Sequence, residues 1–290
     1  MQHPYVVARE LTKAFDAKPV LHDVSFEVRP GDVIGVLGKN GAGKTTLLEL
    51  VLGFTPASRG RVEVFGHESY RLPGAAKARV GFVPQQDELV NQLTAGDQLK
   101  LIRSFYATWD DALVARLIDV WDIELGERVK NMSVGQRQKL SILLALGHRP
   151  DLLILDEPVA SLDPLARRHF LEQIVEIAAD GNRSVVLSSH IVSDIERLAN
   201  RIWILKDGRL HWQGDFDDLR DSVVRVHLRI AQPLRAQIPN ALTVDLGRSH
   251  ATAVVHGWSA ELEAEIAELT GTTPEVEGLT LEDIFLAMHR

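Results

Sequence analysis

Apolar and polar residues along this chain follow two periods, and the switches between them mark the expected elements. Val24, Phe26 and Val28 alternate with polar neighbours, as a half-buried strand requires. Pro30-Gly31-Asp32 then signals a turn, and Val33–Leu37 is an unbroken apolar run suited to a buried strand. A glycine-rich loop leads into a helical stretch over 45–52, and residues 61–65 read as a further strand closed by Gly66. From about Asp87 to Arg149 the period becomes helical. Thr94-Ala95-Gly96-Asp97 has the form of a capping box ahead of Leu99, Leu101 and Ile102. Asp110 and Asp111 can start a second helix through Trp121, and Ser133 to Gln136 opens a third. Beyond this stretch, a strand at 152–155, a helix after Asp163-Pro164, a strand at 184–188 and a helix near 191–199 follow in turn. Such alternation predicts a parallel sheet with crossover helices. Asp207-Gly208, between the segments 202–206 and 209–213, predicts a hairpin.

Residues 215–222 are acidic and read as a linker. A small α+β unit is expected beyond it. Val224, Val226, Leu228 and Ile230 alternate with Arg225, His227 and Arg229, and Leu242, Val244 and Leu246 repeat the period of two. Leu262, Ile266 and Leu269 share one helical face that Gly271 can end. Thr280-Leu281-Glu282-Asp283 can cap a last short helix. The chain carries no internal repeat and no low-complexity tract.

Composition narrows the classes. The 290 residues are 45% hydrophobic, ordinary for a globular protein with one large core and one smaller one. A net charge of -8 weighs against a nucleic-acid-binding surface. The absence of cysteine excludes disulfides and thiolate metal sites, and it fits the cytosol. No apolar run reaches the roughly 18 residues that a transmembrane helix needs. The stretch from Met1 to Glu10 lacks a basic segment followed by an apolar one, so no secretory signal is expected. Any membrane role is therefore expected to come through a partner chain.

The strongest chemical signal is Gly38-Lys39-Asn40-Gly41-Ala42-Gly43-Lys44-Thr45, a G-x-x-x-x-G-K-[ST] pattern between a predicted strand and a predicted helix. Its glycines let backbone N–H groups turn inward around phosphate oxygens, and the helix N-terminus adds a positive dipole end. Lys44 supplies a charge for the β- and γ-phosphates, and Thr45, followed by Thr46, offers a hydroxyl to Mg²⁺. The second signal is the apolar run from Leu152 ending in Asp156 and Glu157. Asp156, at a strand tip beside the phosphate loop, suits a metal ion or its water. Glu157 points elsewhere and can polarise a water for attack on the γ-phosphate.

With these two motifs in place, the sequence resembles the ATP-binding subunit of an ABC transporter over about residues 4–215. Met132-Ser133-Val134-Gly135-Gln136 resembles the family's signature motif, with Val134 where glycine is usual. Gln85, after Phe82-Val83-Pro84, resembles the Q-loop glutamine, and Ser161-Leu162-Asp163 the D-loop. His190, after Ser188-Ser189, resembles the switch histidine, and Phe15 stands where the family places an adenine-stacking aromatic. Residues 222–290 resemble the small tail of exporters whose type-2 permease is a separate polypeptide, and read as a packing appendage; family analogues suggest that it supports dimerisation.

The resemblance implies a P-loop α/β cassette with an antiparallel β subdomain, a helical subdomain at about 87–149, and a small C-terminal α+β domain. It implies ATP and Mg²⁺ as ligands, with Lys44, Glu157 and His190 catalytic. Thr45, Gln85 and Asp156 would hold the metal. Nucleotide would be bound by Phe15, Gly38, Asn40, Gly41, Ala42, Gly43, Thr45, Thr46 and Gln85, and across a head-to-tail dimer by Ser133, Gly135, Gln136 and Asp163. It implies two partners, an integral membrane permease and a second ATPase subunit, and a peripheral place on the cytoplasmic face of the membrane. The competing class is a soluble ABC ATPase acting on nucleic acid or ribosomes. One phosphate loop, no heptad run and a negative charge weigh against it.

Overall fold

The continuous apolar runs form the core of a parallel sheet, as their composition requires. In the computed structural model, which describes residues 3–16, 18–179, 181–229, 237–247 and 249–289, the chain divides into two compact units, Met1–Gln213 and Gly214–Arg290.

The first unit contains two sheets. An antiparallel sheet is built from β1 (Val6–Phe15), β2 (Lys18–Val28), β4 (Arg59–Val64) and β5 (His67–Glu68), in the order β2-β1-β4-β5. The second sheet contains β3 (Val33–Leu37), β6 (Val80–Val83), β7 (Leu152–Asp156), β8 (Ser184–Ser188), β9 (Arg201–Lys206) and β10 (Arg209–Asp215), in the order β10-β9-β3-β8-β7-β6. Strands β3, β7 and β8 are buried at every position, because helices cover a parallel sheet on both faces. The register aligns Val36 with Ser188 and Asp156 with Ser188, so the C-terminal ends of β3, β7 and β8 lie side by side. Open parallel sheets bind ligands at that edge. At Asp207-Gly208 both residues take positive φ, 50° and 71°, as a type I′ two-residue turn demands.

The helices of this unit are α1 (Lys44–Leu52), α2 (Gly74–Lys77), α3 (Ala95–Arg103), α4 (Asp111–Val120), α5 (Val134–Leu146), α6 (Pro164–Ala179) and α7 (Val192–Leu198). Helices α3 to α5 form the insertion between β6 and β7. Their N-caps are the side chains expected: Thr94 accepts from the Asp97 amide, Asp110 from Leu113, and Ser133 from Gln136. The core joins the antiparallel sheet, α1 and β3, with the Phe26 and Trp203 rings 4.5 Å apart. Strand β3 approaches α7 so closely that a Cβ on Gly35 would lie 2.1 Å from Ile195 Cγ2.

In the second unit, α8 (Phe216–Ser222) precedes a four-stranded sheet of β11 (Val223–Arg229), β12 (Ala241–Leu246), β13 (His250–His256) and β14 (Glu275–Gly278), ordered β12-β13-β11-β14. Helix α9 (Ala260–Thr270) buries Leu262 and Ile266 against it, and α10 (Leu281–Met288) is capped by Thr280. One reading of the sequence needs correction here. Residues 216–222 are a helix, not a linker: Asp217 and Asp218 complement the positive end of its dipole, and Leu219 is fully buried. The period of two at Leu242, Val244 and Leu246 does form a strand, β12, in which Val244 and Leu246 are exposed. Ile230 lies outside the described residues. Among the described residues, no helix is long and apolar enough to cross a membrane.

Candidate nucleotide site

The glycine-rich loop joins the end of β3 to the start of α1. Gly41 and Gly43 take φ of 81° and 104°, backbone geometry that side-chain-bearing residues rarely adopt. A Cβ on Gly43 would meet Leu21 Cδ2 at 2.8 Å, so the loop also needs glycine there for close packing on β2. No side chain caps the N-terminus of α1, which leaves its dipole end and first amides to a ligand. Lys44 is buried, and its Nζ donates to the Gly38 carbonyl at 2.9 Å.

A cavity of about 730 Å³ opens over this loop. Of the candidate residues, Asn40, Gly41, Gly43, Lys44, Thr45, Thr46, Gln85, Asp156 and Glu157 line it. The two acids are buried at the end of β7 and are organised differently. Asp156 Oδ1 accepts a 2.6 Å hydrogen bond from the Ser188 hydroxyl. The Glu157 amide donates to the same Ser188 Oγ at 3.0 Å, and Glu157 has a φ of 50° that turns its side chain away from that of Asp156. Glu157 Oε2 accepts from the His190 amide at 3.1 Å and lies 2.6 Å from His190 Nδ1. A carboxylate only accepts, so Nδ1 carries the proton in this contact. Thr45, Gln85 and Asp156 are all oxygen donors, the set that a hard cation such as Mg²⁺ selects. Among the described residues no cluster of three His, Cys, Asp or Glu side chains could hold a metal by itself, so a cation here would also need phosphate or water oxygens.

The phosphate loop, the acidic strand end and the helical insertion recur together in known proteins. The ABC transporter family profile matches residues 21–160. A Nod factor export ATP-binding protein I from Paraburkholderia xenovorans is 35% identical over 210 residues, covering 71% of this chain and 69% of that protein. The chain belongs to the ABC transporter ATP-binding proteins.

Among these ATP-binding proteins, the similarity to YtrB of Bacillus subtilis is 28% identity over 96% of both chains, so it extends through the C-terminal unit. BcrA of Bacillus licheniformis, a bacitracin transport ATP-binding protein, is 31% identical over 73% of this chain and 70% of its own. A solved ATP-binding subunit of an ABC transporter superposes with a TM-score of 0.69 at 30% identity, over 74% of this chain and 92% of that one. A dimeric ATP-binding cassette bound to ADP and Pi has the same fold, with a TM-score of 0.65 at 21% identity over 72% and 98% of the two chains. The protein is thus the ATP-binding, ATP-hydrolysing subunit of an ABC transporter.

Other candidate residues of this ABC subunit lie outside the lining of the cavity. Ser133 and Gln136 close a reciprocal capping box at the start of α5, with Gln136 Oε1 accepting from the Ser133 amide at 2.7 Å. They and Gly135 are not among the lining residues. Asp163 caps α6 through the Leu165 and Ala166 amides. The Ala166 bond, followed by Lys139, holds its carboxyl below the ordinary value. Ala42 and Gly38 belong to the loop without lining the cavity. Phe15 is 44% exposed under the Lys13 ammonium, 4.5 Å from its ring centre, and is also outside the lining.

Sequence reasoning missed Ser188 as a functional residue, although a polar residue ending an apolar strand opposite Asp156 was a usable signal. It also missed Lys18, His22 and Asp207 at the cavity mouth. These come from the antiparallel sheet and a distant turn, and no local spacing links them to the phosphate loop.

Proposed function

We propose that this subunit works as one half of a head-to-tail pair, with a second copy or a paralogue, that closes on two Mg²⁺-bound ATP molecules and drives a separate membrane permease. The observation that carries the reading is the division of the parts. The cavity gathers Lys44, Thr45, Gln85, Asp156 and Glu157, whereas Ser133 and Gly135 stand outside it on another helix end. A partner's Ser133 hydroxyl and Gly135 amide complete the γ-phosphate shell.

In this reading the loop amides and Lys44 grip the phosphates, and Phe15 stacks on the adenine. Thr45, Gln85 and Asp156 hold Mg²⁺, which supplies charge neutralisation at the transferring phosphate when bound. Glu157 takes a proton from the attacking water, and His190 positions both that carboxylate and the γ-phosphate. Lys44 spends one of its three donors on the Gly38 carbonyl and keeps two for nucleotide. The partner's contacts to the γ-phosphate exist only in the closed pair, so hydrolysis opens it.

The permease is supported by an apolar groove of about 250 Å³ whose lining includes Phe54, Tyr70 and Phe82. Phe54 and Tyr70 are exposed, and Phe82 lies three residues ahead of Gln85. Large exposed aromatics beside a groove mark a partner surface. The relative named for Nod factor export favours export, with the subunit on the cytoplasmic face.

The test is a Glu157→Gln variant given Mg²⁺ and ATP. It should elute as a stable dimer and hydrolyse very little. A monomer at saturating ATP removes the head-to-tail reading, and purification with RNA in place of a polytopic membrane protein favours the soluble class.

A further inference from the structure

Three consecutive residues of α5 reach the two loops that follow Gln85 and Glu157, both of which line the ATP site. Arg137 Nε donates to Asp87 Oδ2 at 2.9 Å, two residues beyond Gln85. Gln138 Nε2, buried, donates at 3.0 Å to the carbonyl of Pro158, next to Glu157. Lys139 Nζ lies 3.3 Å from Asp163. Successive helix residues are turned by about 100°, so three neighbours can fasten one helix in three directions. Arg137 also donates through Nη1 to the Met132 carbonyl at 2.8 Å, immediately ahead of Ser133. The same helix end also lies against the loop after Glu157, since a Cβ on Gly135 would lie 3.0 Å from the Ser161 carbonyl oxygen.

Burial separates these contacts from ordinary surface pairing. The Arg137 and Asp87 side chains are 24% and 17% exposed. Arg168–Glu172 on α6, at 78% and 56%, is the solvated kind that contributes little. Removing one partner of a shielded pair leaves the other charge uncompensated. Helix α5 therefore cannot shift without dragging the loops that follow Gln85 and Glu157.

We infer that the second turn of α5 is the joint that couples the two ATP sites, with Arg137 and Gln138 as positioning residues. The loops around a subunit's own nucleotide and the helix end at 133–136, offered to the partner's nucleotide, move as one body. Occupancy of one site is then felt at the other, which is the requirement for linked binding. This inference rests on the head-to-tail reading above.

The experiment uses the full chain and compares the wild type with Asp87→Asn, Arg137→Gln and the double variant. ATP turnover is measured against ATP concentration, and single-subunit affinity with a fluorescent ATP analogue. Each single change is expected to bring the Hill coefficient toward one and lower kcat by about tenfold, while analogue affinity stays within about twofold. The double variant should be no worse than the more severe single one, because both remove the same bond. Arg137→Lys should recover part of kcat. Should Arg137→Gln fail to fold, Asp87→Asn still decides the outcome. Wild-type cooperativity and kcat in Asp87→Asn, or losses that multiply in the double variant, overturn the inference alone. A non-cooperative wild type whose Glu157→Gln form stays monomeric with ATP overturns the head-to-tail reading and this inference with it.

Discussion

Ser188 offers the sharpest test of how the two acids are held. Its hydroxyl, at 0% exposure, donates to Asp156 Oδ1 at 2.6 Å and accepts from the Glu157 amide at 3.0 Å. Ser188→Ala deletes both bonds and leaves no room for replacement water. Asp156 is 3% exposed and its bond is charge-assisted, so the first loss should cost about 1.5–3 kcal/mol. The Glu157 amide keeps the Ser188 carbonyl at 3.2 Å, so the second loss adds only about 0.5 kcal/mol. The sum, about 2–3.5 kcal/mol, should lower the Tm of the first unit by about 4–14 °C. Differential scanning calorimetry without nucleotide measures this, with the transition assigned by its upward shift on adding Mg²⁺ and ATP. The freed Asp156 carboxylate also loses its fixed direction, so half-maximal turnover should need more Mg²⁺. Ser184→Ala is the control. It lies at the other end of β8 and donates 2.7 Å to the Arg29 carbonyl, so it should cost about 1 kcal/mol and leave the Mg²⁺ requirement unchanged. A Ser188→Ala protein within about 1 °C of wild type, with wild-type Mg²⁺ dependence, would refute the reasoning.

Three further outcomes are expected. Lys44→Ala should weaken ATP binding by about 10- to 100-fold in calorimetry, because a charge-assisted phosphate contact is lost; an unchanged affinity contradicts the assignment. Gly35→Ala places a methyl 2.1 Å from Ile195 Cγ2 and should cost about 1–3 kcal/mol by urea denaturation, partly relieved by adding Ile195→Ala; a neutral result means that β3 and α7 are less closely packed. His148 is stacked on Tyr106 at 3.9 Å, and burial holds its pKa below the ordinary 6.5. The unfolded chain therefore takes the proton first, so this contribution to stability is complete above about pH 6.5 and is lost as pH falls through the folded-state pKa. His148→Phe keeps the stack and should flatten the stability curve below that pH; an unchanged acid limb rules this source out.

Local chemistry made much of the fold legible. The caps at Thr94, Asp110, Ser133 and Thr280 were readable because a cap and the amide it satisfies lie within three residues. The runs that became β3, β7 and β8 were readable because parallel strands are apolar on both faces. Reading failed where burial depends on partners distant in sequence. Strand β13, with Ala251, Ala253 and Val255 inward, was not anticipated. The acidic run at 216–222 suggested a linker, yet one buried leucine and the helix dipole were enough to order it.

The sequence by itself determined the phosphate loop and the two acids after β7, because the backbone conformation and strand end that they need are encoded within a few residues. Only the tertiary structure decided that Ser188 holds Asp156 and Glu157 in place and that His190 lies against Glu157. Tertiary packing also decided that Phe15 lies outside the cavity lining, while Lys18, His22 and Asp207 reach its mouth. Those placements follow from the register of β7 with β8 and the approach of β2 to the loop, pairings between segments far apart in the chain that no local spacing records.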